Sequence, residues 1–220
     1  MNVVNIKTIS TVIFAITFVT ILPHTGFLNF FPFDYTVPII AFVWWYLKRD
    51  KASFKDIGFS LKDIGIKPLL VGLLSAILIF LFMQFVFFPI IEIFVEFKPV
   101  DVELYNSIRS KDVAYFVFIL ISSWLVGGVY EEIVFHGFIF TRLENIINGR
   151  FKTVICFLIT ALIFALYHLQ LGAADTINAF LVGAGYLGLF LFYKRNLWYA
   201  IFCHGFYNTI VITSLYLGYI

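Results

Sequence analysis

Seven apolar runs, separated by short polar connections, govern what this chain can fold into. They cover Ile9 to Leu22, Tyr35 to Leu47, Pro68 to Ile91, Val113 to about Ile147, Phe151 to His168, Ile177 to Tyr193 and Leu197 to Leu217. A run of about 20 apolar residues crosses a bilayer as a helix, since a helix satisfies its own backbone polar groups where water is absent. The expected fold is an all-α polytopic membrane protein of about seven transmembrane helices, forming a single transmembrane domain over residues 1–220. Composition agrees, with 62% hydrophobic and 13% charged residues and a mean hydropathy of +0.99, against about 25% charged in soluble domains. The net charge of +2 carries little information about partners, but no basic run resembles a nucleic-acid arm, which leaves the lipid bilayer as the first partner.

The first run follows Lys7 and lacks a small-x-small cleavage site, so it is expected to stay as a span or signal anchor. "LPHTG", Leu22 to Gly26, has the form of a sortase sorting signal, but further spans follow it, which makes it a coincidence and His24 a loop residue. Trp44, Trp45 and Tyr46 read as interfacial aromatics at the end of the second span. Lys48 to Lys67 carries six Lys or Arg and is expected to form a loop with a short surface helix. Glu92 to Asp112 is an acidic-leaning loop or interfacial helix on the other side. With the N-terminus cytoplasmic, nearly all cations fall inside and only Lys98, Arg109 and Lys111 outside, as the positive-inside rule requires.

Several features resolve to packing. Cys156 and Cys203 lie in apolar runs and read as small buried hydrophobes. "GAGYLG", Gly183 to Gly188, fits a dinucleotide fingerprint but sits inside a span, where Ala184 and Gly188 would form a small-residue packing face. Arg142 and Arg150 read as interface anchors, and Gln170 and Asp175 as solvated loop residues.

The stretch "GGVYEEIVFHGF", Gly127 to Phe138, is different, because it places Glu131 and Glu132 inside a span. A carboxylate there costs roughly 2.5 to 3.5 kcal/mol on insertion scales, so a function is the default inference. Gly127 and Gly128 are expected to loosen or kink the helix just before the acids. Neighbouring helix residues point about 100° apart, whereas residues four apart share a face. Glu132 is therefore expected to pair with His136 and to orient or support, leaving Glu131 as the acid/base. Phe164 and His168 share a face of the fifth span, and His204 and Asn208 share one of the seventh. A Glu that can take a proton from water, two His and an Asn amide that can meet an oxyanion make a hydrolytic set between helices 4, 5 and 7. At about 1.5 Å per residue, Glu131 and His168 lie about 25 to 30 Å from Arg150, but His204 only about 14 Å from Arg195. Helices 4 and 5 must then tilt, or project beyond helix 7.

"EEIVFHG", "FALYH" and "HGFYN" resemble, in order and spacing, the motifs EExxxR, FxxxH and HxxxN of the CPBP family, the CAAX proteases and bacteriocin-processing enzymes also called Abi proteins. The resemblance covers residues 113–217. It implies that Glu131 activates water, that His168, His204 and Asn208 complete the catalytic site, and that Glu132 orients it through the residue four later. That residue is His136 where the family has Arg. Phe164 holds the family's aromatic position. The resemblance also implies a prokaryotic plasma membrane, and a lipid-embedded cavity suits short hydrophobic, leader-bearing or lipid-modified peptide substrates, with no CAAX-type specificity legible in these residues.

The chain is thus expected to be an intramembrane endopeptidase with a glutamate-activated water and no metal or other cofactor. One alternative is a non-enzymatic bacteriocin-immunity or partner-binding protein on the same scaffold. Another is a zinc-dependent version of the protease with Glu131, His168 and His204 as ligands. A proton-coupled transporter would also use intramembrane Glu and His, but the polar groups cluster in the C-terminal half alone.

Overall fold

The computed structural model describes residues 6–26, 33–94, 106 and 112–219. Lys98, Arg109, Lys111 and most of the expected acidic loop lie outside the described residues. The chain is an all-α polytopic membrane protein, with no strand among the described residues. Seven helical segments are named α1 (Ile6–Ile21), α2 (Thr36–Arg49), α3 (Ile66–Ile91), α4 (Val113–Ile146), α5 (Lys152–Tyr167), α6 (Ala173–Phe192) and α7 (Trp198–Leu217). With its last turn, α1 is long and apolar enough to cross a membrane, as are α3, α4, α6 and α7. By contrast α2 and α5, of 14 and 16 residues, fall short of the roughly 20 that a crossing takes.

The two halves of α4 behave differently. Val113–Ser122 is ordinary α-helix with no buried residue, while every residue from Tyr130 to Glu144 is buried. The change coincides with a π-helix over Ser123–Ile139. Such helices are rare beyond one turn and concentrate at functional sites. With hydrogen bonds closing five residues apart, residues four and five apart share a face, so Gly127, Glu131, Glu132 and His136 line up together. The expected kink at Gly127 and Gly128 is instead this change of winding.

Glycines bring α7 close to its neighbours. A Cβ on Gly72 of α3 would lie 2.9 Å from the backbone N of Cys203, and one on Gly205 would lie 2.4 Å from the Trp124 ring. Trp124 Nε1 donates to Thr209 Oγ1 at 2.9 Å and ties α4 to α7 beside that contact. In α6 the close approaches are made by Gly183 against Phe164 and Gly185 against Ile79. Gly188 faces open space, so the expected Ala184/Gly188 packing face is displaced along the helix. Cys156 and Cys203 are free and buried.

The polar connection after α2 folds into two short 3₁₀ turns, Phe54–Ile57 and Leu61–Asp63. It braces the start of α7: Leu197 N donates to Gly58 O at 3.0 Å and Trp198 Nε1 to Ser60 O at 2.7 Å. Gly58 has φ +90° and its α-carbon faces Arg195 O, leaving no room for a side chain there. Arg142 is buried, not an interface anchor. It donates to Asp50 Oδ2 at 3.1 Å, because the bundle closes over the last turns of α4. Tyr46 likewise packs inward against Phe138, while Trp44 and Trp45 stay half-exposed. Arg150 is exposed. Asp175 belongs to the first turn of α6, not to a loop, and is partly buried.

The depth conflict also resolves. Arg195 forks onto Glu144 at 2.7 and 2.8 Å, so it lies level with Glu144 and the 147–151 turn projects beyond it. Most of the path from Glu144 back to Glu131 is π-helical. That winding packs more residues into each turn and advances less per residue, which brings Glu131 to the level of His204.

Candidate active site

Glu131 and Glu132 are adjacent and buried, but their surroundings differ. Glu132 is fully enclosed. Its Oε2 lies 2.6 Å from His136 Nδ1 and its Oε1 2.9 Å from His204 Nδ1. An ionised carboxylate only accepts, so both rings donate from Nδ1 to Glu132. The imidazole of His136, shorter than the family's Arg, still closes on the acid.

Glu131 is held more loosely. Its Oε2 lies 3.9 Å from His168 Nε2 and 3.9 Å from His204 Nε2, beyond hydrogen-bond range. His168 arrives at the end of α5, where its Nδ1 lies 2.8 Å from the Phe164 carbonyl. A carbonyl also only accepts, so His168 carries its proton on Nδ1 and its Nε2 faces Glu131. Each histidine that meets Glu131 thus has its far nitrogen anchored, by a carboxylate for His204 and by a backbone carbonyl for His168.

Phe164 connects these groups. Its ring centre lies 4.7 Å from that of His168, 5.2 Å from His136 and 6.2 Å from His204. Gly183 makes room for that ring, since a Cβ there would lie 2.4 Å from Phe164 Cδ1. Asn208 follows His204 by one turn. A Cβ on Gly127 would lie 2.6 Å from Asn208 Nδ2 and 3.2 Å from His204 Nε2. Glu131, Glu132, His136, Phe164, His168, His204 and Asn208 therefore come together.

Two contributors were not foreseen. Gly127 keeps open the space that the Asn208 amide and His204 Nε2 occupy, a role its expected kink did not reveal. Tyr186 stacks on His204 with ring centres 4.5 Å apart and planes 20° apart. It lies within "GAGYLG", and nothing in that spacing distinguishes a ring on a histidine from a ring in a core. Next to the site, the hydroxyls of Tyr35 and Tyr167 meet at 3.5 Å, and His24 packs edge-on against Tyr167. His24 at the end of α1 and Tyr35 at the start of α2 thus border the His168 side.

Among the described residues no three His, Cys, Asp or Glu side chains are gathered as a metal site. Glu131, His168 and His204 are the donors that a zinc ion would have to draw together from 3.9 Å. As a carboxylate and two imidazoles, they have the chemistry to do so.

The family model of type II CAAX prenyl endopeptidase, Rce1-like, matches residues 113–210. The matched stretch holds all seven site residues, and over it the chain is similar to that family. No curated protein and no solved structure matches the chain. What the match supports, at family level, is a likeness to CAAX-protease-like intramembrane peptidases over those residues.

Proposed function

We propose that the chain is an intramembrane endopeptidase that hydrolyses membrane-associated peptides with water activated by Glu131. What carries the proposal is the contrast between the two acids: Glu132 is closed onto two imidazoles, while Glu131 faces two imidazole Nε2 atoms at 3.9 Å without closing on either. Polar groups set slightly beyond bonding distance suit a water held between them. Glu131 takes a proton from that water as its oxygen bonds to the scissile carbonyl carbon, and His168 Nε2 helps to hold it. Negative charge gathers on the carbonyl oxygen, where the Asn208 amide and His204 can meet it. The Glu132 carboxylate behind His204 Nδ1 fixes the ring and balances a second proton, taken from solvent at Nε2 before the attack and kept through it, which lets Nε2–H donate to that oxygen. The intermediate collapses by breaking the C–N bond, and the proton held by Glu131 passes to the leaving amine. A site set among lipid-facing helices suits hydrophobic peptides and lipid-modified tails. A zinc ion held by Glu131, His168 and His204 would instead supply a polarised water.

The test is cleavage of a panel of membrane-bound peptides, with and without lipid-modified tails, by the protein in proteoliposomes. Wild type, His204→Ala and a chelator-treated sample are compared. Cleavage that His204→Ala abolishes and the chelator spares supports the proposal. Loss on chelation, restored by zinc, would replace glutamate activation by metal chemistry. No cleavage of any peptide, with a cellular immunity phenotype that survives substitution of the site, would leave a binding protein on a protease scaffold, a role consistent with His136 in the family's Arg position.

A further inference from the structure

Three tyrosine hydroxyls gather on the His168 side of Glu131. Tyr130 and Tyr167 immediately precede Glu131 and His168 in the chain, and Tyr35 stands just before α2. The rings of Tyr35 and Tyr130 meet edge-on with centres 6.0 Å apart. Tyr167 donates to the Tyr35 hydroxyl at 3.5 Å, longer than the usual O–H···O distance of about 2.7 to 2.8 Å. The Tyr130 hydroxyl lies near Tyr167 but finds no partner within hydrogen-bond distance, although the residue is only 3% exposed. Phenylalanine would fill the same space without stranding a polar group, since a buried hydroxyl with no partner costs stability. The hydroxyls are thus poised for a group that arrives from outside.

The chemistry of peptide hydrolysis narrows what that group is. A helical peptide ties up its carbonyls in its own hydrogen bonds, so the segment to be cut has to unwind, and in a water-poor site its N–H and C=O groups then need other partners. Asn208 and His204 can meet the scissile carbonyl oxygen, but the peptide groups on either side of that bond are left to be paired. Asn208, His168 and Tyr35 are partly exposed around the buried Glu131, so a peptide lying across Glu131 runs from the Asn208 side to the His168 side. At about 3.3 Å per residue, the peptide group next to the scissile bond falls beside His168, where the hydroxyls are. A hydroxyl both donates and accepts, so it can pair with the main chain whatever the side chains are. We propose that Tyr35, Tyr130 and Tyr167 form a subsite that holds the main chain of the substrate peptide next to the scissile bond, through hydrogen bonds to a peptide C=O or N–H. The subsite rests on the peptidase reading above and adds that recognition on this side is of backbone.

The experiment is steady-state cleavage in proteoliposomes by wild type, Tyr130→Phe and Tyr35→Phe. The substrates are a membrane-bound peptide that wild type cuts and versions of it carrying one ester in place of a peptide bond on either side of the scissile one. Phenylalanine keeps each ring, so the unfolding temperature should hold. On the all-amide peptide each variant should raise KM by about three- to tenfold, the worth of one hydrogen bond between neutral groups, with kcat kept, as loss of uniform binding requires. An ester removes the N–H and weakens the carbonyl as an acceptor, so on one of the ester peptides wild type and Tyr130→Phe should have the same KM. A wild-type KM in both variants, or a penalty that persists on every ester peptide, overturns the subsite and leaves the peptidase reading standing. If wild type cuts no peptide at all, the peptidase reading and the subsite fall together.

Discussion

The ion pairs at the Arg195 end and the acid at the site each rest on a buried or half-buried carboxylate and reach opposite outcomes. Glu144 and Arg195 meet in a two-pronged pair, and Asp50 accepts from both Arg49 and Arg142, at 2.7 to 3.1 Å. Glu131, buried as deeply as Glu144, has only imidazoles at 3.9 Å. Charges that close on each other fix helix ends. An acid kept just out of reach of its partners retains the capacity to take a proton from something else. Within the site, Glu132 belongs with the closed groups and Glu131 does not.

The largest effect on stability is expected where a closed group is buried most deeply. Glu132→Leu strands the Nδ1–H groups of His136 and His204, each unmet buried donor costing about 1 to 3 kcal/mol. Thermal unfolding in detergent should show a marked drop, together with loss of peptide cleavage. Next come two glycines on one interface. Gly127→Ala meets the free end of the Asn208 side chain, which can swing away, so cleavage should fall by up to about 100-fold through misplaced groups while the unfolding temperature barely moves. Gly205→Ala meets the Trp124 ring, held by its bond to Thr209, and should instead destabilise by about 1 to 3 kcal/mol. If the two variants behave alike, Gly127 is merely a packing position.

Breaking a closed pair at the rim should matter less. Arg195→Gln removes the pair with Glu144, but the Arg side chain is 46% exposed, so a loss of no more than about 1 kcal/mol is expected, with cleavage unchanged. The smallest effect lies in the connection after α2. The Ser53 hydroxyl and backbone N–H donate to Asp56 Oδ2 at 2.7 and 2.8 Å and hold its carboxyl below the ordinary value. A depressed folded-state value means that this support is complete above the unfolded value of about 3.9 and is lost as pH falls through the folded one. Unfolding curves between neutral and acid pH should therefore show a slight extra loss in wild type that Asp56→Asn lacks.

Most of the site was legible because the motifs lie on helices, where spacing translates into faces. Glu132 with His136, and Phe164 with His168, needed only the rule that residues four apart are neighbours. That rule holds in the π-helix too, so the pairing was found although the winding was not. The double use of Glu132 was not legible, since its contact with His204 spans 72 positions. Depth misled for a related reason, because a constant rise per residue overestimates the length of the π-helical part of α4. Composition alone puts the cations and aromatics near helix ends at the interface. Arg142 and Tyr46 instead turn inward, because Asp50 and Phe138 wait there. Hydropathy located the spans but could not separate helices of crossing length from the shorter α2 and α5.

The most direct measurement is Glu131→Gln, assayed for peptide cleavage and for unfolding temperature on the same preparation. Cleavage should fall by about 100-fold to 10,000-fold, the contribution of a general base, with the unfolding temperature kept, since Glu131 closes no pair. Cleavage at the wild-type rate by a folded Glu131→Gln protein would contradict the assignment of Glu131 as the residue that activates water.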